Sequence, residues 1–128
     1  MKRSRGLLAV LAIGIVIPFA AAAATPGADP DKGKAAFEQC AACHSLGEAG
    51  DHDGPTLKSV FGRKAGSLED YRYSTAMKRS AVTWDAMTLD QYVMDPQAFI
   101  PGNRMAFAGI TDKAERDDLI AYLAIATK

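Results

Sequence analysis

The chain's 128 residues leave room for one domain and too little for two comfortable ones. Its 15 basic and 15 acidic residues cancel, yet Lys2, Arg3 and Arg5 fall in the first 24 positions, so the rest carries 12 basic against 15 acidic residues, a formal −3. An acidic domain lacks the basic footprint of a nucleic-acid binder, although the total says little about protein partners, whose docking depends on local patches.

The N-terminal segment reads as an address. Lys2, Arg3 and Arg5 form a positive region, an apolar run from Leu7 to Ile17 follows, and Pro18 leads into the small-residue tract Ala20 to Ala24. These are the parts of a secretory signal peptide over 1–24, leaving a domain over 25–128 exported to the periplasm. The competing reading is an uncleaved anchor facing the periplasm, because Gly6 to Ala24 is 19 residues without a charge, nearly enough to span a bilayer. Pro18 and the alanines suit cleavage better, and Thr25 to Asp29 is a short tether for an anchored domain.

Beyond this segment the chain alternates short helices with loops rich in glycine and proline. Asp29-Pro30 opens a helix with a capping side chain and a proline in the first turn. It carries Gly33 and Phe37 on one face, runs into the cysteine motif and is expected to stop near Gly47. Residues 47–66 hold Gly47, Gly50, Gly54, Pro55, Gly62 and Gly66 and read as a loop with at most one helical turn. Ser74 to Ser80 is a short helix, and Thr88 to Asp95 another, ended by Pro96 because the residue before proline avoids the helical region. Gln97 to Ile100 adds a turn before Pro101-Gly102. The last helix is capped by Asp112 with Glu115 as a capping box, and Leu119, Tyr122, Leu123 and Ala126 give it one apolar face. No stretch alternates like a strand, so the class is all-α. Short helices and long loops leave a deficit of apolar bulk that a large flat ligand would supply.

The only cysteines lie in Cys40-Ala41-Ala42-Cys43-His44. A disulfide is usual for two cysteines in an oxidising compartment, but one closing so small a loop would constrain the unfolded chain very little. A thioredoxin-like pair needs a βαβ setting, and a structural zinc site needs four ligands. His52 is the only other histidine, and the spacing would be unusual for zinc. Two thiols on one helical turn followed by an imidazole instead suit attachment of haem, with thioethers from Cys40 and Cys43 and His44 on the iron. For the second iron ligand, Met77, Met87 and Met94 fall on or near expected helices, where methionine is most often filler. Met105 lies in an irregular strap between Ile100-Pro101-Gly102-Asn103-Arg104 and Phe107-Ala108-Gly109, and is favoured over the others without excluding them. A His/Met pair closes both faces of the iron and suits one-electron transfer.

Further strings carry a resemblance. Gly54-Pro55-Thr56-Leu57, Phe61-Gly62-Arg63-Lys64-Ala65-Gly66, Tyr71-Arg72-Tyr73-Ser74, Thr83-Trp84, Tyr92, Ile100 to Met105, Phe107-Ala108-Gly109-Ile110 and Glu115 to Leu123 occur in the order of a class I cytochrome c. With Cys40 to His44, the chain resembles that family, of the mitochondrial and small bacterial type, over essentially all of the domain. The resemblance implies a cytochrome c fold, short helices and loops wrapped around one covalently bound haem, and makes Met105 the methionine ligand. It implies that the Pro55 carbonyl accepts from His44, that Arg63, Tyr73 and Trp84 hold the haem propionates, and that the Tyr92 hydroxyl lies near the ligating sulfur. It also implies a terminal-helix crossing of Gly33 and Phe37 on Leu119 and Tyr122.

Two positions depart from the mitochondrial pattern. Met77 stands where an asparagine that organises buried water is usual. Gln97 and Ala98 replace two lysines of the docking ring, leaving Lys34, Lys58, Lys64, Arg104 and Lys113 as a partial one. The expected role is a monomeric electron carrier, not an enzyme, between a bc1-type donor and an oxidase, reductase or photosynthetic reaction-centre acceptor. Membrane contact is expected only through those complexes, unless the N-terminal segment is retained. A peroxidase or gas-binding role is disfavoured, because no spare histidine or arginine is placed as a distal acid/base.

Overall fold

The computed structural model describes residues 25–50 and 52–128; the expected signal segment 1–24 lies outside the described residues. Five helices follow one another: α1 Pro30–Ala41, α2 Thr75–Arg79, α3 Ala86–Met94, α4 Pro96–Phe99 and α5 Lys113–Ala126. Among the described residues the only strand-like pairing is an isolated bridge between Lys64 and Thr83, in keeping with the all-α expectation.

The start of α1 follows its sequence signals. The Asp29 carboxylate accepts the backbone N–H groups of Asp31 and Lys32, with Pro30 in the first turn, where its missing N–H costs nothing. Its end does not lie near Gly47, because the helix stops at Ala41. The Gly54 N–H donates to the Cys43 carbonyl and the Leu57 N–H to the Ser45 carbonyl, each at 2.8 Å. The following loop thus captures acceptors that a continuing helix would need.

Helix α3 begins at Ala86, earlier than expected. Thr88 is not its start but its third residue, in a reciprocal capping box with Asp85: the Thr88 N–H donates to Asp85 Oδ1 at 2.7 Å and the Asp85 N–H to Thr88 Oγ1 at 2.8 Å. The box expected at α5 forms only by half. Asp112 accepts from the N–H groups of Ala114 and Glu115, while the Glu115 carboxylate accepts from Gln39 Nε2 of α1 at 3.3 Å. Pro96 ends α3 and also opens α4, which Asp95 caps through the Ala98 N–H.

Helices α1 and α5 cross at Gly33, where a Cβ would lie 1.9 Å from the Asp118 carbonyl oxygen. Only glycine permits this approach. Beside it the rings of Phe37 and Tyr122 lie 5.7 Å apart, and the Asp29 N–H donates to Asp118 Oδ1. Helix α3 joins α5 through Arg116, which is 4% exposed. Its Nε donates to Asp90 Oδ1 at 2.8 Å, and its Nη1 to the carbonyls of Ile110 and Thr111 at 2.9 Å, so the buried charge is paired.

The core is two clusters. One gathers Val60, Ala65, Met77, Trp84, Leu89, Tyr92, Ile100 and Ile120, the other Phe37, Val93, Ile110, Leu119 and Leu123. Helix α5 sits between them, giving Ile120 to the first and Leu119 and Leu123 to the second. It is therefore buried over a wider arc than the expected face, and Tyr122 and Ala126 of that face are only half-buried. No helix among the described residues is long and apolar enough to cross a membrane.

Candidate functional site

A cavity of ≈ 410 Å³ lies at the seam of the two clusters, within the size of small-molecule sites. Val60, Met77, Trp84, Leu89 and Tyr92 wall it from one cluster, and Phe37, Val93, Leu119 and Leu123 from the other. The nine residues assigned to the haem from the sequence all reach this wall: Cys40, Cys43, His44, Pro55, Arg63, Tyr73, Trp84, Tyr92 and Met105.

The cysteine motif enters at the end of α1. Cys40 lies in the last helical turn, and both the Cys43 and the His44 N–H donate to its carbonyl, at 3.0 and 2.9 Å. This tight turn, and not the helical face expected from the spacing, brings the three side chains to one wall. The two thiols are free of each other. Burial, and then the neighbouring Cys43, push the Cys40 thiol up to about 11, so it stays protonated at neutral pH.

The imidazole of His44 has Nδ1 2.7 Å from the Pro55 carbonyl. A carbonyl only accepts, so Nδ1 carries the proton and Nε2 keeps its lone pair. Burial lowers the ring's pKa against the opposing pull of that hydrogen bond, and the charges of Arg63 and His52 lower it further. The ring is held against bare backbone, because a Cβ on Gly54 would come within 2.6 Å of His44 Cε1.

Arg63 spans the loop beneath, donating from Nη2 to the Thr56 carbonyl at 2.7 Å and from Nη1 to the Lys58 carbonyl at 2.9 Å. Burial lowers its pKa. Burial also raises that of Tyr73, while the Arg63 charge pulls it back. The Gly62 N–H donates to the Trp84 carbonyl and the Trp84 N–H to the Arg63 carbonyl, which sets the Trp84 ring 5.0 Å from that of Tyr92.

On the opposite chain segment, Met105 is half-buried. Its N–H donates to Asn103 Oδ1 at 2.8 Å. Burial pushes the Tyr92 phenol up to about 12, with a smaller push from Tyr71, and its hydroxyl donates to the same Asn103 Oδ1 at 3.3 Å. Gln97, counted from the sequence only as a lost lysine, donates from Nε2 to the Asn103 carbonyl at 3.1 Å. Asn103 and Arg116 are the polar residues the sequence reading passed over. A lone polar residue among turn formers, and a charge in a helix rich in charges, give no sign of burial. Met87, by contrast, lies open on α3 and outside the cavity.

A mostly apolar slot with two adjacent thiols at its mouth, a neutral imidazole and a thioether fits a flat iron macrocycle. The lining offers an imidazole nitrogen and a thioether sulfur, donors of the kinds that haem iron accepts. Residues 30–126 match the Cytochrome c family. The chain is 42% identical to a cytochrome c2 of Rhodomicrobium vannielii over 88% of this chain and 90% of that protein. It is 44% identical to a cytochrome c of Chlamydomonas reinhardtii over 82% and 96%. The solved structure of cytochrome cH from Methylobacterium extorquens superposes with a TM-score of 0.71 at 45% identity, covering 76% of this chain and 98% of that one. The chain thus belongs to the cytochrome c family, carries a covalent c-type haem and passes electrons instead of catalysing bond chemistry.

Proposed function

We propose that the protein is a periplasmic one-electron carrier whose single haem is joined to Cys40 and Cys43 and ligated by His44 Nε2 and Met105 Sδ. When bound, the haem supplies an iron that alternates between its ferrous and ferric states. The observation that carries the reading is His44: with Nδ1 committed to the Pro55 carbonyl, its lone pair is left to Nε2 at a wall shared with Met105. A hydrogen bond of this kind orients a ligating imidazole and makes it a better donor. The thioether of Met105 favours the reduced ion and leaves no open position for oxygen or peroxide. Arg63, Tyr73 and Trp84 take the propionate end, where the guanidinium retains donors beyond the two given to the backbone. Tyr92 tunes the methionine side.

Residues 1–24 serve as the export signal in this reading, with a retained anchor as the alternative. The electron comes from a bc1-type complex and leaves to an oxidase, a reductase or a photosynthetic reaction centre, and the carrier works as a monomer. The acidic balance and the absence of lysine at 97 and 98 speak against a mitochondrial-style ring of lysines as the docking face.

Met105→Ala tests the ligand set. The variant is expected to keep haem covalently attached, lose the sulfur-to-iron charge-transfer band of the ferric protein, bind carbon monoxide when reduced and titrate at a lower potential. A retained band assigns the ligand to another methionine. Rapid carbon monoxide or cyanide binding by the unaltered protein at neutral pH would remove the carrier reading altogether. Mass spectrometry of the protein exported from cells reports the cleavage site and the attached haem together.

A further inference from the structure

The side chain of Asn103 is 6% exposed, and every hydrogen-bonding position on its amide is filled. Nδ2 donates to the carbonyl of Pro96 at 2.7 Å and to that of Ile100 at 2.9 Å. Oδ1 accepts the Met105 N–H at 2.8 Å and the Tyr92 hydroxyl at 3.3 Å. The amide faces this way because a flip would set its oxygen against two carbonyls and its nitrogen against the Met105 N–H. One side chain therefore links α3 through Tyr92, α4 through Pro96 and the strap through Ile100 and Met105.

Its surroundings sharpen the point. The Tyr92 ring lies in an apolar cluster that includes Met77, Leu89 and Trp84. A buried phenol needs a partner, and the methionine at position 77 supplies no polar atom of the amide kind. Asn103 meets that need from the strap itself, with a direct bond between protein atoms. The Tyr92 hydroxyl and the Met105 backbone are thereby coupled through a single oxygen.

We propose that Asn103 is a positioning residue for Met105: by holding its backbone N–H, it keeps the thioether on the iron and slows its replacement by outside ligands. This inference rests on the reading of Met105 as the axial ligand. Replacing Asn103 by alanine takes the acceptor from the Met105 N–H and the Tyr92 hydroxyl, while the Pro96 and Ile100 carbonyls keep only their backbone donors, the N–H groups of Ile100 and Asn103. Losing hydrogen bonds of this kind corresponds to roughly a tenfold change in the equilibrium between bound and detached thioether.

The test compares holoproteins carrying Asn103→Ala, Tyr92→Phe, Ile120→Val and Met105→Ala. In Asn103→Ala the ferric protein is expected to bind imidazole roughly tenfold more tightly, and the Met105 amide proton to exchange faster by a like factor. Tyr92→Phe leaves the Met105 N–H with its acceptor, so imidazole affinity is expected to change less than about threefold. Ile120→Val trims a core residue outside the cavity wall and is expected to lower the melting temperature at unchanged imidazole affinity, which separates positioning from general weakening. Should the alanine variant fail to hold haem, Asn103→Leu, with similar shape and no polar atom, carries the same expectation. Unchanged imidazole affinity beside faster Met105 exchange would overturn the positioning role alone. Retention of the sulfur-to-iron band in Met105→Ala would instead overturn the ligand assignment, and this inference with it.

Discussion

Gly54 governs its neighbour by having no side chain. The His44 ring leans on its backbone, and a methyl group there would meet His44 Cε1 at 2.6 Å and the Cys43 carbonyl at 2.9 Å. Either the imidazole tilts off the Pro55 carbonyl or the loop swings outward. Gly54→Ala is therefore expected to destabilise the holoprotein by about 1–3 kcal/mol, the range for overpacking a filled site. It should also disturb the iron's low-spin spectrum, whereas an alanine merely tolerated on the surface would change neither. Thermal melting and the ferric absorption spectrum of the same sample decide between them. Recognition of Gly54-Pro55 beside Cys40 to His44 made this neighbourhood legible in the sequence. Asn103 stayed hidden, because a turn residue's value here lies in four partners that sequence spacing does not connect.

Among the elements, α3 shows the difference between a boundary signal and a boundary. Thr88 drew attention as a helix start, yet its hydroxyl serves Asp85, and the Asp85 carboxylate holds the Thr88 N–H. That backbone hydrogen bond, the larger influence, and the Thr88 hydroxyl hold the Asp85 carboxyl below its usual range. A carboxyl whose pKa is lowered by folding stabilises the fold above its unfolded pKa, and this contribution disappears as pH falls through the folded value. Asp85→Asn keeps a capping oxygen without the charge. The variant is expected to melt close to the parent at neutral pH and to show a flatter loss of melting temperature in acid. Asp85→Ala removes the cap and is expected to cost about 1 kcal/mol at every pH where the carboxylate is charged. The existence and type of all five helices could be read from periodicity and caps. The end of α1 could not, since it depends on a loop more than ten residues downstream claiming the Cys43 and Ser45 carbonyls. The half-formed box at Asp112 has a similar cause: Glu115 faces Gln39 of another helix.

At the scale of the whole molecule, the cavity lies between the two core clusters, which Leu57 and Phe61 also join, with α3 and α5 running along both. The haem is thus structural as well as redox-active, and the protein prepared without it is expected to keep part of its helical far-ultraviolet signal while losing near-ultraviolet aromatic dichroism and cooperative melting. An apoprotein that melts cooperatively near the holoprotein would show that the clusters close on each other unaided. The deficit of apolar bulk noticed in the sequence is this seam, although its residues could not be sorted into two clusters without the fold. The crossing of α1 on α5 carries one more consequence. Gly33 meets Asp118 across most of the chain's length, and Leu119 and Leu123 line the same cavity as the cysteine motif, with Cys40 packed against their cluster. A chain cut before α5 is therefore expected to lose both the Gly33 crossing and the Leu119 and Leu123 part of the cavity wall, and to hold haem poorly, which the absorbance of the purified protein checks.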